Sequence, residues 1–416
     1  MTGSASVLIV AGEASGDRLA GRIALSLRKD GVRCIGMGGP ACLAAGVELV
    51  ADLRRSAAMG LTEVVVRLPA VTMAFAKLAL TVREERPIAA VLVDYTEFNL
   101  RLGALLKRRG VPVLWCVAPQ VWAWRPQRTA QIARALDRLA VILPFEAPLW
   151  RAHGVDAHYI GHPALDVAPL DRATARARLG LASTHLAVAL LPGSRPHEVR
   201  RHTPPMLAAL RELDRAGMAV KSRLLIAAAL DGATRRWVTA KAERAGVRIV
   251  HVAAGAGAGA WLGAFDAALA ASGTATLECA LAGAPPVVIY RLSPLTAAVA
   301  RRLLRTPFVA LPNIVLGAGI YPELLDRAVE PRPMAQALAK VLERRSTFEP
   351  WAAELEARLS WRRTSSTTSL PASSGETSAE RAASLLSGWL PLGTRSLSND
   401  AKSAGVPWAR NASAPA

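Results

Sequence analysis

The loop AGEASGD (11–17) has an unusual composition for its place in the sequence, because it follows the apolar run VLIV (7–10) and precedes a segment of helical period. Glycine-containing turns between a buried strand and a helix usually bind phosphate through backbone N–H groups. This loop carries the carboxylates of Glu13 and Asp17 and no lysine, so it would repel a phosphate. Ser15 or Asp17 could cap the following helix. Capping leaves Glu13 unexplained, and the loop is therefore a candidate for binding a different ligand.

A second loop, LLPGSRPHE (190–198), combines a tight turn with a guanidinium group. An apolar run ends here, Gly193 and Ser194 form the turn, and Arg195 lies where a bound anion would be. The planar fork of arginine suits two phosphate oxygens. The alternative is an ordinary turn with a solvated arginine.

The third loop, ASGTATLECAL (271–281), predicts a binding site for a diphosphate. An apolar run closes, and the small residues Ser272, Gly273 and Thr274 open a helix whose free N–H groups could bind phosphate oxygens. Glu278 lies one turn further on, where its carboxylate could accept hydrogen bonds from ribose hydroxyls. A capping box is the alternative, but its spacing is three residues and that from Thr274 to Glu278 is four.

Several classes of site are disfavoured by what the sequence lacks. It contains no G-x-x-x-x-G-K-[ST], no H-E-x-x-H and no D-x-D. A sugar transferase without D-x-D must neutralise its leaving diphosphate with protein groups, so we expect neither a metal nor a cofactor. GMGGPA (36–41) and GAGAGA (255–260) match the dinucleotide-binding pattern only weakly. The cysteines show no C-x-x-C pairing, which favours reduced thiols over a disulfide frame or a zinc site; they are Cys34, Cys42, Cys116 and Cys279.

Two series of short apolar runs alternate with helical segments such as 17–29 and 99–109. Continuous apolar strands separated by helices indicate parallel sheets that are covered on both faces. The stretch 161–184 links the series and has no long apolar strand, so we predict two doubly wound α/β domains with ligands beyond the carboxyl ends of the strands. The predicted strands are VLIVA (7–11), AAVLVD (89–94), VPVLWCV (111–117), LAVIL (139–143), LAVALLPG (186–193), SRLLIAA (222–228), VRIVHV (247–252), AALAA (267–271) and PPVVIY (285–290).

The net charge of +19 favours an anionic partner, which could be nucleic acid, an anionic membrane surface or a phosphorylated substrate. No secretory signal is visible, and no apolar stretch is long enough to span a membrane. The nearest, LPAVTMAFA (68–76), is bounded by Arg67 and Lys77. We therefore expect a cytoplasmic protein.

Taken in order, these and further motifs resemble the lipid-A-disaccharide synthase family over roughly residues 6 to 345. The motifs are AGEASGD (11–17), GMGGPACLAAG (36–46), MGLTEVV (59–65), VDYTEFN (93–99), APQVWAWRPQR (118–128), LPFE (143–146), IGHP (160–163), LLPGSR (190–195), ASGTATLE (271–278) and LPN (311–313). The resemblance implies a GT-B fold, in which two Rossmann-like domains face each other across a cleft.

The resemblance also implies a reaction. A 2,3-diacylglucosaminyl group would pass from UDP to 2,3-diacylglucosamine 1-phosphate, giving a β-1,6 disaccharide 1-phosphate and UDP with inversion. Inversion needs a base for the acceptor hydroxyl and charge stabilisation on the leaving UDP. The family motif matches Asp94 to that base, with a helix-capping carboxylate as the alternative. The family reads D-x-P-D-F-N where this chain has D-Y-T-E-F-N, so that Thr96 and Glu97 replace a proline and an aspartate.

The resemblance assigns the other loops as well. Arg195, with Ser194 beside it, would contact the UDP diphosphate. The helix start at 272–274 would bind the diphosphate too, and Glu278 the ribose. Asn313 matches an active-site position of the family, where it would form a hydrogen bond within the cleft. Glu13, Ser15 and Asp17 would accept hydrogen bonds from sugar hydroxyls at the rim of the first domain.

Two other functions stay open at this point. Another GT-B UDP-N-acetylglucosamine transferase or an epimerase would share the diphosphate site but lack the combination of AGEASGD and VWAW. A non-catalytic basic protein that docks on membranes would share the charge but would not need Asp94, Arg195 and Glu278 at strand ends.

A membrane surface is the expected anionic partner. Residues 61–83 combine apolar side chains with Arg67, Lys77 and Arg83, as in a segment lying in the membrane interface. We therefore expect peripheral association with the cytoplasmic face of the inner membrane. VWAWRPQR contributes tryptophans and arginines (Trp122, Trp124, Arg125 and Arg128) that suit either this interface or core packing. Stacking on single-stranded nucleic acid is disfavoured by the parallel sheets, and oligomerisation is possible.

The boundaries expected from these patterns divide the chain into five parts. Residues 1–165 form the acceptor- and membrane-facing domain, 166–184 a linker, and 185–360 the UDP-sugar-binding domain. A Ser/Thr-rich loop and a final helix follow at 361–390, and 391–416 are a disordered tail.

Overall fold

The structure is a computed structural model that describes residues 5–52, 61–124, 126–253, 255, 257–291, 306–361 and 376–390. Arg125, most of the Ser/Thr-rich loop and the predicted tail 391–416 lie outside the described residues.

Seven parallel strands form the first sheet of the described chain, in the order β3-β2-β1-β4-β5-β6-β7. The four strands predicted for this half are confirmed, whereas β2, β3 and β7 were not predicted. In β2, Gly36 has a φ of 152°, and a Cβ there would lie 2.0 Å from the carbonyl oxygen of Ile9. The strands are β1 (Ser6–Ala11), β2 (Arg33–Gly38), β3 (Glu48–Asp52), β4 (Ala89–Val93), β5 (Val113–Cys116), β6 (Arg138–Val141) and β7 (Asp156–Tyr159).

Six parallel strands form the second sheet of the described chain, in the order β10-β9-β8-β11-β12-β13. All five strands predicted here are confirmed, and only the short edge strand β13 was not predicted. The strands are β8 (Ala187–Leu191), β9 (Lys221–Ile226), β10 (Arg248–His251), β11 (Ala267–Ala271), β12 (Pro286–Tyr290) and β13 (Glu323–Leu325).

Helices cover both sheets. Those of the first half are α1 (Ala14–Lys29), α2 (Pro40–Ala44), α3 (Leu61–Glu85), α4 (Thr96–Arg108), α5 (Val121–Trp124), α6 (Thr129–Ala133) and α7 (Glu146–Arg151). The remaining helices are α8 (Arg172–Arg178), α9 (Pro196–Arg215), α10 (Gly232–Arg244), α11 (Gly259–Leu262), α12 (Thr274–Leu281), α13 (Leu311–Leu316), α14 (Pro331–Glu343), α15 (Glu349–Leu359) and α16 (Ser378–Ser384).

The central strands are apolar at nearly every position because each sheet has a core on both faces. In β1, Leu8 and Val10 pack into one cluster, and Val7 and Ile9 pack into the cluster on the other face. The same alternation separates the side chains of β8. This arrangement confirms the prediction of two doubly wound α/β domains.

The order of the strands reverses direction between β1 and β4 in the first sheet, and between β8 and β11 in the second. At such switch points the loops beyond the carboxyl ends diverge and leave a crevice. The loops that follow these four strands are 12–13, 94–95, 192–195 and 272–273. All the motifs with candidate chemistry except LPN therefore lie at the two crevices.

Segments near the predicted linker and the C-terminus connect to both halves. Helix α8 packs on the second half, where Arg172 forms an ion pair of 2.6 Å with Asp266. The final helix α16 instead returns to the first half and packs against α1. Its start is fixed by the backbone N–H of Ser378, which donates to the Asp166 carboxylate at 3.0 Å, and Arg381 donates to the carbonyl of Ile160 at 2.7 Å.

Helix α3 contains Pro69 and exposes apolar side chains, among them Met73 (61% exposed) and Leu80 (54% exposed). Within the described ranges, none of the helices combines the length and apolar character required to span a bilayer.

Candidate active site

A cavity of about 430 Å³ lies between the two sheets, at their facing carboxyl ends. It is lined by residues from all four switch-point loops, together with the turn that joins the halves. Of the site residues named from the sequence, the structure brings together Glu13, Ser15, Asp17, Asp94, Ser194, Arg195, Ser272, Gly273, Thr274 and Glu278. These residues come from distant parts of the chain, so their meeting supports the two-domain arrangement.

Asp94 directly follows β4 and has a left-handed backbone, with a φ of 54°, as does the next residue, Tyr95. Non-glycine residues seldom adopt this conformation, and they cluster at functional sites. The Asp94 carboxylate accepts a hydrogen bond of 2.9 Å from the N–H of Tyr95, and the Asn99 side chain donates to the Asp94 carbonyl. Helix α4 has no side-chain cap at its first residue, so the capping alternative for Asp94 is not observed.

The ionisation of Asp94 is strongly affected by its surroundings. Burial and the nearby charge of Glu13 raise its pKa to about 7, against opposing effects of the Tyr95 N–H and of Arg195. A carboxyl group with this pKa is poised to exchange a proton near neutral pH.

Two residues of the D-Y-T-E-F-N motif, Tyr95 and the altered Glu97, have identifiable contacts. The ring of Tyr95 stacks on Phe98 at a centroid distance of 5.1 Å. It also covers Gly12, where a Cβ would lie 2.0 Å from the ring. Glu97 points to the surface and accepts a hydrogen bond of 2.9 Å from Arg128. The longer carboxylate at position 97 therefore connects α4 to the turn Pro126–Arg128 and does not line the cavity.

Arg195 is held between two carboxylates. Its Nη2 donates to Glu13 of the first half at 2.5 Å, and its Nη1 donates to Glu198 at 2.9 Å. Burial alone would lower the pKa of Arg195, but the charges of Glu13 and Glu198 outweigh it and raise this pKa above its ordinary value. The guanidinium is thus a fixed cation beside the cavity, and its present partner across the cleft is an acid.

Glu198 also shapes the loop that carries Arg195. Its Oε2 accepts from the N–H groups of Ser194 and Arg195 at 3.1 and 3.2 Å. Gly193 has a φ of 122°, and a Cβ there would lie 2.5 Å from Glu198. These backbone N–H groups are already satisfied, so the guanidinium and the Ser194 hydroxyl are what the loop offers to a ligand.

The start of α12 presents backbone N–H groups to the same cavity. Gly273 is its N-cap, with a φ of 144°, and no side chain in the described part of the chain caps this helix. The Ser272 hydroxyl donates to the carbonyl of Val309 at 3.0 Å and so fixes the turn. The first N–H groups of α12 and the positive end of its dipole therefore suit an anion.

Glu278 forms a second ion pair across the cleft. The Nη2 of Arg18, on α1, donates to its carboxylate at 2.8 Å. One turn further along α1, Arg22 donates to the carbonyl of Gly255 at 3.2 Å. Two arginines of the first half thus contact the second half beside the cavity.

The structure does not bring Asn313 to the cavity, contrary to the contact expected from the LPN motif. The residue is fully buried, and its amide donates to the carbonyl of Tyr321 and to Glu323, both at 2.8 Å. Its Oδ1 accepts from the N–H groups of Ile320 and Tyr321. Four hydrogen bonds exhaust the amide, so Asn313 fixes the loop before β13 and does not face a ligand.

Asp17 lines the cavity, but its carboxylate is occupied. It accepts hydrogen bonds from the N–H groups of Gly39, Ala41 and Cys42, at 2.7, 2.8 and 3.1 Å. Asp17 is only 3% exposed. This geometry joins α1 to the start of α2 and leaves Glu13 and Ser15 as the groups of AGEASGD that are placed for a ligand.

Further residues of the cavity were not identified as functional from the sequence; they are Arg18, Arg22, Glu146, His162 and Glu198. Glu146 lies in LPFE and accepts from Trp122 at 3.1 Å, while burial raises its pKa to about 7. The contact holds the half-buried ring of Trp122 against the protein. Glu146 and His162 belong to the motifs LPFE and IGHP, which follow β6 and β7. A polar residue in a short loop after a strand was the signal that could have identified them, but β7 itself was not predicted.

Comparison with known proteins identifies the family. The family model for lipid-A-disaccharide synthetase matches residues 7–364. The lipid-A-disaccharide synthase of Anaeromyxobacter dehalogenans strain 2CP-C is 42% identical over 352 residues, which cover 84% of this chain and 91% of that protein. The enzyme of Myxococcus xanthus is 41% identical over 345 residues, covering 82% and 89%.

Solved structures share the fold at low sequence identity. The UDP-GlcNAc 2-epimerase of Neisseria meningitidis, bound to UDP-GlcNAc, has a TM-score of 0.57 and 11% identity, and the match covers 87% of this chain and 97% of that one. The calicheamicin glycosyltransferase CalG4 has a TM-score of 0.54 and 12% identity, covering 93% and 98%. The architecture is GT-B, and the chain belongs to the lipid-A-disaccharide synthetase family, as a glycosyltransferase of lipid A synthesis.

Proposed function

We propose that the protein transfers the 2,3-diacylglucosaminyl group of UDP-2,3-diacylglucosamine to the 6-hydroxyl of 2,3-diacylglucosamine 1-phosphate. The products are UDP and the β-1,6-linked disaccharide 1-phosphate, and the anomeric configuration inverts. The observation that carries this proposal is the position of Asp94, whose raised pKa suits a base, in one cavity with the anion-binding loops of the second half.

Asp94 is the general base. In its ionised form it takes the proton of the acceptor hydroxyl while the hydroxyl oxygen attacks the anomeric carbon and the bond to the UDP oxygen breaks. The structure around the end of β4 fixes Asp94 in an uncommon backbone conformation. Its carboxylate is therefore already in position and needs little reorganisation for proton transfer.

The second half, proposed as a domain of residues 185–360, binds the donor. Arg195 and the N-terminus of α12 neutralise the diphosphate as negative charge develops on the leaving group. The hydroxyls of Ser194 and Thr274 add hydrogen bonds to the same group. Glu278 accepts hydrogen bonds from the ribose. This arrangement stabilises the leaving diphosphate with protein groups and needs no metal pair.

Donor binding exchanges partners across the cleft. The diphosphate competes with Glu13 for Arg195, since both are anions at the same guanidinium. Released Glu13, together with Ser15, then accepts hydrogen bonds from sugar hydroxyls on the side of the first half. Asp17 holds this loop and α2 in place.

The first half, proposed as a domain of residues 1–165, meets the acceptor and the membrane. Exposed Met73 and Leu80 on α3 supply an apolar surface, and the net charge of +19 attracts anionic lipid. We place the protein peripherally on the cytoplasmic face of the inner membrane, where both acylated substrates are available.

Direct measurement of transfer tests this function. The purified protein is mixed with both substrates, with and without EDTA, and UDP and disaccharide 1-phosphate are quantified. Disaccharide formation that persists in EDTA is expected. UDP release without disaccharide would overturn the acceptor and support hydrolysis or another transfer. Formation of UDP-2,3-diacylmannosamine would indicate an epimerase.

A further inference from the structure

His162, in the motif IGHP, has an unusual hydrogen-bonding state. It follows β7 in the segment that joins the two halves, lines the cavity and is 1% exposed. Its Nδ1 accepts a hydrogen bond of 3.1 Å from the N–H of Ala164 and caps the turn Pro163–Asp166. A ring nitrogen that accepts carries no proton, so the proton of the neutral ring is on Nε2.

The Nε2 atom of His162 is buried and has no hydrogen-bond partner among the described residues. Buried polar groups are nearly always paired, because an unpaired donor loses its hydration without compensation. Burial also lowers the pKa of His162 to about 4. The ring is therefore neutral near pH 7 and offers one N–H donor.

The position of the turn connects this donor to the nucleotide side of the cavity. The turn Pro163–Asp166 packs against α12, and Leu165 joins the apolar cluster that contains Leu277 and Ala280 of that helix. Pro163 and Ala164 line the cavity together with Thr274, Ala275 and Glu278. His162 is thus anchored to the helix whose N-terminus presents its N–H groups to an anion.

We propose that the Nε2–H group of His162 donates a hydrogen bond to an oxygen of the donor's diphosphate. This assignment rests on the proposed function. A hydrogen bond from a buried, unpaired N–H group is strongest when the acceptor is charged, and an oxygen of the diphosphate is such an acceptor. The atom is shielded from solvent, so a small adjustment of the turn accompanies binding.

Two substitutions separate the roles of the two ring nitrogens. His162→Asn retains an oxygen near the place of Nδ1, which can cap the turn, but removes the Nε2 donor. His162→Gln can place an amide N–H near the position of Nε2. We expect His162→Asn to weaken UDP binding, measured by calorimetry, by about tenfold or more, and His162→Gln to restore much of the affinity. His153→Asn, at an exposed histidine outside the cavity, is the matched control and should bind UDP normally.

The outcome distinguishes this inference from the proposed function. If Arg195→Ala weakens UDP binding while both His162 variants bind UDP like the wild type, the histidine has no contact with the donor and the inference is wrong. If Arg195→Ala also binds normally, the donor site itself is wrong. An equal loss of uridine affinity in His162→Asn would place the hydrogen bond on the nucleoside and contradict the diphosphate contact.

A measurement on the wild-type protein avoids any effect of substitution on folding. With ¹⁵N-labelled histidine, addition of UDP should shift the Nε2 resonance of His162, assigned by its absence in His162→Gln. The His153 signals should stay in place. An unchanged His162 resonance at saturating UDP would overturn the inference.

Discussion

At the scale of single residues, the proposed chemistry depends on two acids of the first half, Glu13 and Asp94, that lie close enough for the charge of one to affect the pKa of the other. Glu13 contacts Arg195 and also raises the pKa of Asp94. The same carboxylate therefore holds a cation of the proposed donor site and contributes to the raised pKa of the proposed base. Asp94 is poised near neutral pH because burial and a like charge act together on one carboxyl group.

The pH dependence of kcat/KM tests this poise. Asp94 acts as a base only when ionised, so kcat/KM should fall about tenfold per pH unit below about 7 and level off above it. Glu13→Gln should move this limb to lower pH, because it removes a charge that raises the Asp94 pKa. A profile that is flat from pH 5 to pH 8 would contradict the assignment.

The effect of Asp94→Asn on the free energy of unfolding should depend on pH, because the wild-type aspartate titrates and asparagine does not. The sign is opposite to that of a salt-bridged carboxylate. The folded-state pKa of Asp94 lies above its unfolded value, so the folded protein loses stability as pH rises between the two values. At pH 8 the variant should melt about 2 °C or more above the wild type, and the difference should shrink as pH falls toward 4. A difference in melting temperature that does not change with pH would show that folding does not raise the pKa of Asp94.

At the scale of elements, strand ends and helix starts position the groups, and small residues permit the turns. Gly273 has a φ of 144°, and apart from its own chain neighbours no atom of the described residues lies within 4 Å of the place that a Cβ would take. The constraint at this glycine is therefore backbone conformation and not space. The N-terminus of α12 can face the cavity only if this turn is kept.

Gly273→Ala should weaken UDP binding by roughly tenfold, since the strained conformation costs about 1–3 kcal/mol and relaxation would turn the helix start away. Gly283→Ala at the other end of the same helix, where φ is 72°, is the matched control. It should lower the melting temperature without changing UDP affinity. Equal effects of both changes on UDP affinity would contradict a specific role for the helix start.

The sequence predicts most of these elements for physical reasons. Central strands such as VLIVA are apolar throughout because both faces are buried, and this pattern is readily recognised. Strands such as β7, with the sequence DAHY, lie at a sheet edge and carry no such pattern. Local sequence also could not show that Arg18 contacts Glu278, which is 260 residues away. Nor could it show that the side-chain amide of Asn313 forms its hydrogen bonds within its own loop. Motifs located the loops, and only the fold showed which side chains reach the cavity.

At the scale of the whole molecule, the two halves meet through opposite charges. Arg195–Glu13 and Arg18–Glu278 both join a residue of the first half to one of the second. The residues proposed to bind donor are thus engaged across the cleft before the donor arrives. In the proposed function, an anionic nucleotide competes with the ion pair between Arg195 and Glu13.

Glu13→Gln should therefore bind UDP several-fold more tightly than the wild type, because Arg195 no longer has this competing anion. Turnover should fall in the same variant, since the acceptor loses a hydrogen-bond partner. Glu97→Gln, which removes a surface partner of Arg128, should leave UDP affinity unchanged. Weaker UDP binding in Glu13→Gln would show that the carboxylate supports the donor site and does not compete with the donor.

The most direct test of the central claim is the rate of disaccharide formation by Asp94→Asn, with UDP affinity measured on the same preparation. Our account predicts that UDP affinity stays within a few-fold of the wild type while kcat falls by about 10²–10⁴-fold. Retention of most of the activity would contradict the assignment of Asp94 as the base.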